Sequence, residues 1–191
     1  CTCLVGSEMC IRDRSKSLIR IKMRQKRKSL PKSIILENSK SIQNYINSKI
    51  DTVSPCKIGY FSPFENEPII SFDPKHQIYL PKVEDKALEF YEESSKIQKN
   101  KYGIDEPSNS NKIDLAKLNI ILVPFLAFNK NLYRVGFGGG FYDKTLCRLS
   151  NLTKRPKIWG VGFSFQLTKE NFQENLDVRL DKIITEQHIY E

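Results

Sequence analysis

The sequence has few of the residues that build metal sites or disulfide scaffolds. Its 191 residues include two histidines and five cysteines, and no two cysteines form a C-x-x-C pair. A structural zinc site is therefore not expected, because such sites use closely spaced cysteine and histidine ligands. Cys147 lies in a predicted helix, where we interpret it as a small core residue rather than a nucleophile.

Long apolar segments are also missing. The first thirty residues contain no apolar stretch that resembles a secretory signal, and no apolar run approaches the ~20 residues that span a bilayer. These absences predict a cytoplasmic protein without a membrane partner. Disulfide bonds are not expected in that compartment.

Acidic residues are absent from one strongly basic region. The net charge is +9, and residues 14–32 contain nine Lys or Arg residues and no acid. Such a run fits three roles: nucleic-acid binding, a solvated helix face, or a helix that contacts a small polyanionic ligand. No aromatic residue lies within the run, which disfavours single-stranded nucleic acid because bases would have nothing to stack on.

Residues 1–14, CTCLVGSEMCIRDR, do not begin with Met and differ in composition from the rest of the chain. We interpret them as the translation of sequencing-adaptor read-through rather than as native sequence. The remaining residues, 15–191, are expected to form a single domain. Their mixture of apolar and charged residues is ordinary for a globular protein.

The apolar pattern alternates between helical and strand-like segments. A helix is predicted from Ser15 to the break at Pro31. Its apolar stripe contains Leu18 and Ile21, with Ile19 as a further candidate. A second helix is predicted over 33–50, with the apolar face Ile35, Leu36, Ile42, Tyr45, Ile46 and Ile50. Strands are predicted at 57–61, 77–80, 87–91, 119–124, 157–163 and 182–185, a short helix near 168–172, and a surface loop over 96–112. This order predicts a three-layer α/β/α domain with a mainly parallel sheet.

The most informative stretch begins with the strand 119–124, whose apolar, β-branched composition fits burial on both faces of a sheet. A loop follows, and then Arg134-Val135-Gly136-Phe137-Gly138-Gly139-Gly140-Phe141-Tyr142-Asp143 leads into a helix. Glycines let backbone N–H groups converge on an anion, and a helix N-terminus adds partial positive charge. Arg134 adds a fork of donors, and Asp143 offers a carboxylate for a magnesium ion.

The glycine loop is not one of the common nucleotide motifs. It lacks the G-x-x-x-x-G-K-[ST] pattern of a P-loop, and it lies too far from the strand for a Rossmann G-x-G-x-x-G turn. A glycine-rich hairpin with no ligand is the alternative interpretation.

Several blocks together resemble the 5-formyltetrahydrofolate cyclo-ligase family. The pattern Val123-Pro124, Phe128 and 134–143 is similar to the family signature P-G-x-x-F-D…G-x-R-L-G-x-G-x-G-Y-Y-D. Three further blocks agree in order: Lys16-x-x-x-Arg20, the 102–107 segment YGIDEP, and the C-terminal DVRLD of 177–181 followed by Thr185-Glu186. The resemblance covers essentially all of residues 15–191.

The resemblance implies an activity and a fold. The family converts 5-formyltetrahydrofolate to 5,10-methenyltetrahydrofolate with ATP, releasing ADP and phosphate, by phosphorylation of the formyl oxygen and attack of N10. It implies the NagB/RpiA/CoA-transferase-like type of three-layer fold, ATP and Mg²⁺ as cofactors, and a cytoplasmic monomer. The partners are then small molecules, with no nucleic acid and no membrane.

The resemblance also implies residue roles. The ATP-binding residues would be Lys16, Arg20 and the loop Arg134, Val135, Gly136, Phe137, Gly138, Gly139, Gly140, Phe141 and Tyr142, with Arg134 and Tyr142 catalytic. Asp143 and Asp177 would hold Mg²⁺, with Asp181 as the alternative to Asp177. Ser62 and Glu67 would bind the folate, with Glu65 as the alternative to Glu67.

The sequence departs from the family pattern at several positions. Phe125 and Tyr133 stand where Gly is usual, Asn129 replaces an Asp, Phe141 replaces a Tyr, and Asp105 stands where Pro is common. The segment 67–81 is also short. None of these changes affects the arginine or the aspartates of the predicted phosphate and metal site.

Overall fold

The protein is described by a computed structural model. It covers residues 3–50, 55–94, 96–108, 111–149, 152–174 and 176–191, with side chains described from residue 15 onward.

The described residues form three helices and twelve strands. The helices are α1 (Cys3–Lys28), α2 (Lys32–Ile50) and α3 (Phe141–Cys147), with 3-10 turns at Leu115–Lys117 and Ser164–Gln166. The strands are β1 (Lys57–Gly59), β2 (Gln77–Glu84), β3 (Ala87–Glu92), β4 (Ile97–Lys99), β5 (Asp105–Pro107), β6 (Lys112–Ile113), β7 (Ile120–Pro124), β8 (Ala127–Phe128), β9 (Arg134–Val135), β10 (Lys157–Val161), β11 (Lys182–Ile184) and β12 (Ile189–Tyr190).

Eight of these strands form one twisted central sheet in the order β12-β11-β10-β7-β1-β2-β3-β6. The five strands from β11 to β2 run parallel, and the outer strands β12, β3 and β6 are antiparallel to their neighbours. The predicted mainly parallel sheet is confirmed. Strand β7 lies near its centre, which explains why its residues are apolar on both faces.

Alternate residues of β7 divide the core into two layers. Ile120 and Leu122 pack with the buried face of α2, including Ile42. Ile121 and Val123 point to the other face and pack with Leu146 of α3. Because side chains alternate along a strand, a single apolar run supplies both layers of the predicted three-layer arrangement.

The apolar face predicted for the first helix is wrong. Leu18 and Ile21 are exposed, by 63% and 58%, whereas Ile19 and Met23 are buried. Basic side chains share the buried face: Lys16 is 6% exposed and Arg27 only 1%. Some of the basic residues of α1 therefore point into the protein. The basic run is not simply a helix face in contact with solvent.

Other sequence expectations are corrected in detail. On α2, Leu36 is 59% exposed, whereas Tyr45 is half-buried and the four isoleucines of the predicted face are buried. Residues 168–172 are not helical, and a 3-10 turn forms at Ser164–Gln166 instead. The expected surface loop over 96–112 contains the hairpin of β4 and β5. Cys147 is exposed rather than in the core, because α3 ends there and turns Thr145 and Leu146 inward.

Among the described residues, no helix has the length and apolar character needed to cross a membrane.

Candidate active site

Helix α1 packs against the segments that leave the carboxyl ends of β1 and β7. The Arg27 guanidinium donates to the carbonyl oxygens of Glu65 at 2.9 Å and Phe125 at 3.1 Å. Glu65 follows β1 along the chain, and Phe125 directly follows β7. Ligands of open parallel sheets bind at this edge of the sheet, so α1 delivers its basic residues to the expected place.

The glycine loop is anchored by a small antiparallel ribbon. Ala127 pairs with Val135 and Phe128 with Arg134, so the connection predicted as a loop contains the strands β8 and β9. The turn between them is held by the Asn129 side chain, whose Oδ1 accepts from the backbone N–H of Asn131 and Tyr133. An Asp could accept the same two bonds, which explains why Asn is tolerated here.

Phe125, a second departure from the family pattern, is accommodated by Gly160 on the neighbouring strand β10 and by Gly162 just after it. A Cβ on Gly162 would lie 2.3 Å from the Phe125 ring, and one on Gly160 would lie 3.2 Å from it. The ring therefore occupies the space that two side chains would otherwise fill. Phe125 is 1% exposed.

Arg134 is fixed at the centre of the loop region. It is 6% exposed, its Nη2 lies 2.6 Å from Asp143 Oδ1, and its Nη1 donates to the Val178 carbonyl at 3.2 Å. The arginine thus joins three parts of the predicted site: the glycine loop, the start of α3, and the segment that contains Asp177.

The glycines of the loop allow backbone conformations and close contacts that a residue with a side chain would not. Gly138 has φ +103° and Gly140, the N-cap of α3, has φ +65°. A Cβ on Gly139 would lie 2.5 Å from the Phe141 ring. The loop therefore needs glycine for its path, and that path ends at the N-terminus of α3.

Lys16 and Arg20 approach the loop from one face of α1, as their spacing predicts. Arg20 Nε donates to the Gly136 carbonyl at 3.0 Å. Lys16 Nζ lies 2.9 Å from Asp177 Oδ2 and 3.4 Å from Glu174 Oε1. Residues from both ends of the chain and from its centre thus come together around the glycine loop.

The two C-terminal aspartates have different surroundings. Asp177 contacts Lys16, and its Oδ2 also accepts from the Glu174 backbone N–H. Asp181 forms a two-pronged pair with Arg155 and accepts from the Ile158 backbone N–H. These bonds lower the pKa of Asp181 against the opposing effect of its burial. Asp181 thus holds the amino end of β10, whereas Asp177 faces the loop region.

No group of three His, Cys, Asp or Glu side chains with metal-ligand geometry occurs in the part of the chain that the structure describes. The two expected ligands, Asp143 and Asp177, still fit Mg²⁺, because this ion commonly takes one or two protein carboxylates and fills its remaining positions with phosphates and water. Asp143 contacts Arg134 directly, and the carbonyl of Val178, the residue after Asp177, accepts from the same guanidinium.

A buried carboxylate lies on the other side of Arg27. Glu67 is 3% exposed, and its Oε2 accepts from the Phe64 backbone N–H at 3.1 Å. Its Oε1 lies 3.3 Å from Arg27 Nη1 but makes no aligned hydrogen bond with any described residue. Burial raises the pKa of Glu67 to about 7, although the charge of Arg27 acts in the opposite direction.

The Tyr142 hydroxyl is the second unsatisfied polar group of this region. It is buried and has no hydrogen-bond partner among the described residues. Burial, and then the charge of Glu67, raise the pKa of Tyr142, so the hydroxyl keeps its proton and can donate. Buried polar atoms without partners are rare in native proteins, so a water molecule or a ligand is expected to supply the missing bonds.

Glu65, the alternative to Glu67, is partly buried, and its charge is satisfied by two exposed basic side chains. It pairs with Arg24 through both carboxylate oxygens and with Lys28 at 3.2 Å. The hydrogen bonds from Arg24 lower the pKa of Glu65, in contrast to the raised pKa of Glu67.

A cleft of about 640 Å³ adjoins the loop, between Gly139 and Phe141 on one side and the hairpin of β4 and β5 on the other. Tyr102 makes an edge contact with Phe141 across it, with ring centroids 5.8 Å apart. The lysines Lys86, Lys101 and Lys144 also line the cleft. Ser62 donates to the Asp105 carbonyl at 2.6 Å, which places it beside this hairpin.

Sequence reasoning missed Arg27. A signal was available, because Arg27 shares the helix face of Lys16, Arg20 and Met23 at helical spacing. However, a lysine or arginine within a basic run is ordinarily exposed, and only the fold shows that this one is buried.

Comparisons with known proteins identify the family of the chain. A sequence model of the 5-formyltetrahydrofolate cyclo-ligase family matches residues 12–186. The 5-formyltetrahydrofolate cyclo-ligase of Mycoplasma pneumoniae is 29% identical over 186 residues, which cover 90% of this chain and 99% of the relative. That of Haemophilus influenzae is 38% identical over 92 residues, covering 46% of this chain and 47% of the relative.

Solved structures support the same fold. The NMR structure of 5,10-methenyltetrahydrofolate synthetase from Aquifex aeolicus superposes with a TM-score of 0.77 at 25% identity and covers 92% of each chain. The family match extends over nearly the whole chain and includes every block that converges on the glycine loop. The chain therefore belongs to the 5-formyltetrahydrofolate cyclo-ligase family.

Proposed function

We propose that the protein catalyses the ATP-dependent conversion of 5-formyltetrahydrofolate to 5,10-methenyltetrahydrofolate, with release of ADP and phosphate. The observation that supports this most directly is the pairing of a basic glycine loop with buried, unsatisfied polar atoms on Glu67 and Tyr142. The loop suits a triphosphate, and the unsatisfied atoms suit a ligand rich in N–H and carbonyl groups. A reaction between ATP and a folate requires both.

The chemistry explains why such a site is sufficient. The formyl group is an amide and a poor electrophile, so its oxygen must become a leaving group before N10 can attack. Transfer of the γ-phosphoryl group to the formyl oxygen achieves this. N10 then adds to the formyl carbon and loses its proton to solvent, and the C–O bond breaks to release phosphate. The protein must align the two substrates and stabilise the developing phosphate charge.

On the nucleotide side, Lys16, Arg20 and Arg134 would bind the triphosphate, together with backbone N–H groups of residues 135–142. The contact between Arg134 and Asp143 holds the guanidinium in a fixed direction. A charged, preorganised donor of this kind stabilises the transferred group without reorganising during the reaction.

We also propose that Asp143 and Asp177 hold the Mg²⁺ ion that accompanies ATP. The ion would neutralise part of the triphosphate charge. Asp177 is preferred to Asp181 because both carboxylate oxygens of Asp181 are bonded to Arg155, whereas the bonds of Asp177 to Lys16 and to the Glu174 N–H both use Oδ2.

On the folate side, Glu67 would accept hydrogen bonds from pteridine N–H groups, and Tyr142 would donate to a substrate oxygen. Ser62 is bonded to β5, the strand whose Glu106 lines the cleft, and the volume of this cleft is in the range of small-molecule sites. The cleft lysines would attract the carboxylates of the substrate's glutamate tail. The protein would act as a cytoplasmic monomer on these small molecules, without nucleic acid or membrane.

The decisive experiment follows methenyl product absorbance with pure protein, ATP, Mg²⁺ and 5-formyltetrahydrofolate. Turnover that requires all three added components is expected. No turnover, together with tight and salt-sensitive RNA binding, would contradict the proposal and favour a polyanion-binding protein that uses α1.

A further inference from the structure

Arg27 is the most deeply buried charged residue among those that the structure describes. Its side chain is 1% exposed. The guanidinium donates to the carbonyls of Glu65 and Phe125, and Nη2 lies 3.5 Å from the Phe64 carbonyl. The Arg27 backbone carbonyl also accepts from the Asn66 side chain. Arg27 therefore fixes the whole turn 64–67 against α1.

The same guanidinium is the charge partner of Glu67. Nη1 lies 3.3 Å from Glu67 Oε1, and both side chains are almost completely buried. A buried ion pair with no other task usually satisfies its atoms with aligned hydrogen bonds. Here Glu67 Oε1 is left without one. The pair thus holds a charged acceptor in place while leaving its hydrogen-bonding capacity for another molecule.

Arg27 also contacts the glycine loop. Its Cζ lies 5.3 Å from the centroid of the Phe137 ring, which in turn packs on Phe64 at 5.9 Å. One side chain therefore contacts both the turn that carries Glu67 and the loop proposed to bind ATP.

We propose that Arg27 is a positioning residue for the folate substrate: it orients the Glu67 carboxylate and keeps it charged for the pteridine N–H groups. The inference rests on the proposed function, because it assumes that the ligand of Glu67 is the folate.

Titration of Glu67 provides a readout that a purely structural arginine would not affect. The titratable and charged groups that face Glu67 are Arg27 on α1, Glu65 on the same turn, Tyr60 after β1, and Tyr142 on α3. Arg27 is the positive one of these. Its removal raises the pKa of Glu67 further, so a larger share of the enzyme carries a neutral Glu67 at neutral pH.

The test compares Arg27→Met and Arg27→Lys with wild type, by measuring KM separately for 5-formyltetrahydrofolate and for ATP from pH 6 to 9. In Arg27→Met, the folate KM at neutral pH is expected to rise by roughly tenfold or more, because a buried charge loses its partner. The ATP KM should change by less than about twofold, and the folate KM should recover partly at high pH. Arg27→Lys should restore part of the affinity at neutral pH.

Arg24→Met is the matched control. Arg24 lies one turn earlier on α1 and pairs with the neighbouring carboxylate Glu65, but its side chain is 45% exposed. Its removal should leave the folate KM and its pH profile unchanged. Glu67→Gln supplies a second comparison, because Arg27→Met in that background has no charged carboxylate to affect and should change the folate KM little.

The outcomes separate the inference from the proposed function. If wild type turns over but Arg27→Met keeps the wild-type folate KM and pH profile, the role of Arg27 is wrong and the activity stands. Equal increases in the KM of folate and of ATP also contradict it. If Arg27→Met does not fold, the same comparison is made with Arg27→Lys and with Arg27→Met/Glu67→Gln. If wild type shows no turnover, the proposed function fails, and with it this role for Arg27.

Discussion

At the scale of single residues, the pair of Arg134 and Asp143 dominates the proposed phosphate site. Arg134 is the first residue of β9. Arg134→Ala removes a buried guanidinium that lies 2.6 Å from Asp143. We expect kcat to fall by about 100-fold or more, because a preorganised donor to the transferred group is lost. Asp143→Ala should have an effect of similar size.

The measurement is turnover at saturating substrates, with circular dichroism to show that each variant is folded. Arg148→Ala is a suitable control, since Arg148 is another arginine near α3 but pairs with Glu89 at the surface. Near-normal kcat in either Arg134→Ala or Asp143→Ala would contradict the phosphate-site assignment.

The two aspartates near the C-terminus allow a similar comparison. Asp177→Asn should raise the Mg²⁺ concentration needed for half-maximal activity, because one proposed metal ligand becomes neutral. Asp181→Asn should leave that concentration unchanged. It should instead lower the free energy of unfolding by about 1 kcal/mol, because the pair with Arg155 and part of the bond from Ile158 are weakened.

Magnesium titrations of activity and urea unfolding curves of both variants provide the data. The reverse pattern, with the metal dependence changed only in Asp181→Asn, would exchange the roles of the two residues.

At the scale of structural elements, the glycine loop is positioned by the β8–β9 ribbon before it and by α3 after it. Gly140, the N-cap of α3, has φ +65°, and a Cβ there would meet no atom within 4 Å. Gly140→Ala therefore tests backbone conformation without steric clash. We expect a loss of about 1–2 kcal/mol in the free energy of unfolding and a raised KM for ATP.

Gly103→Ala is the matched control for the loop. Gly103 has φ +78° and similarly open surroundings, but it lies in the turn between β4 and β5. It should lose comparable stability and keep the wild-type KM for ATP. An unchanged ATP KM in Gly140→Ala would mean that the loop conformation is not what binds the phosphates.

At the scale of the whole molecule, the burial of Glu67 makes stability depend on pH in an unusual direction. Its pKa is raised from the ordinary 4.5 to about 7 in the folded protein. The folded state therefore binds this proton more tightly than the unfolded state does. The resulting stabilisation is complete below the ordinary pKa and is lost as pH rises through about 7.

Glu67→Gln should remove this dependence. The free energy of unfolding of wild type should therefore fall relative to that of the variant as pH rises from 5 to 8. Glu65→Gln is the contrasting variant, because the pKa of Glu65 is lowered and its stabilisation is lost as pH falls. Urea unfolding at a series of pH values measures both differences. A wild-type-minus-Glu67→Gln difference that does not vary with pH would contradict the burial effect.

Whether residues 1–14 are foreign remains a prediction. Helix α1 begins at Cys3, within that segment, and the family match begins at residue 12. The family match and the described core both lie almost entirely within residues 15–191, the range predicted as one domain.

Much of the architecture could be predicted from the sequence because it depends on local patterns. The apolar run of β7, the second helix and the glycine loop each carry their own signal, and the spacing of Lys16 and Arg20 places both on one helix face. The family resemblance supplied the roles. The predictions that failed were the exact boundaries of some elements and the orientation of α1. On α1, apolar residues predicted to be buried are exposed, and basic residues are buried.

The sequence by itself determined which groups are available: a basic helix, a buried strand, a glycine loop with an arginine and aspartates, and two candidate glutamates. Only the tertiary structure decided among them. Burial depends on what packs against a residue from distant parts of the chain. That packing pairs Glu65 with the exposed Arg24, encloses Glu67 with Arg27, and brings Lys16 to Asp177. No local pattern contains that information, because each of these contacts joins segments that are far apart in sequence.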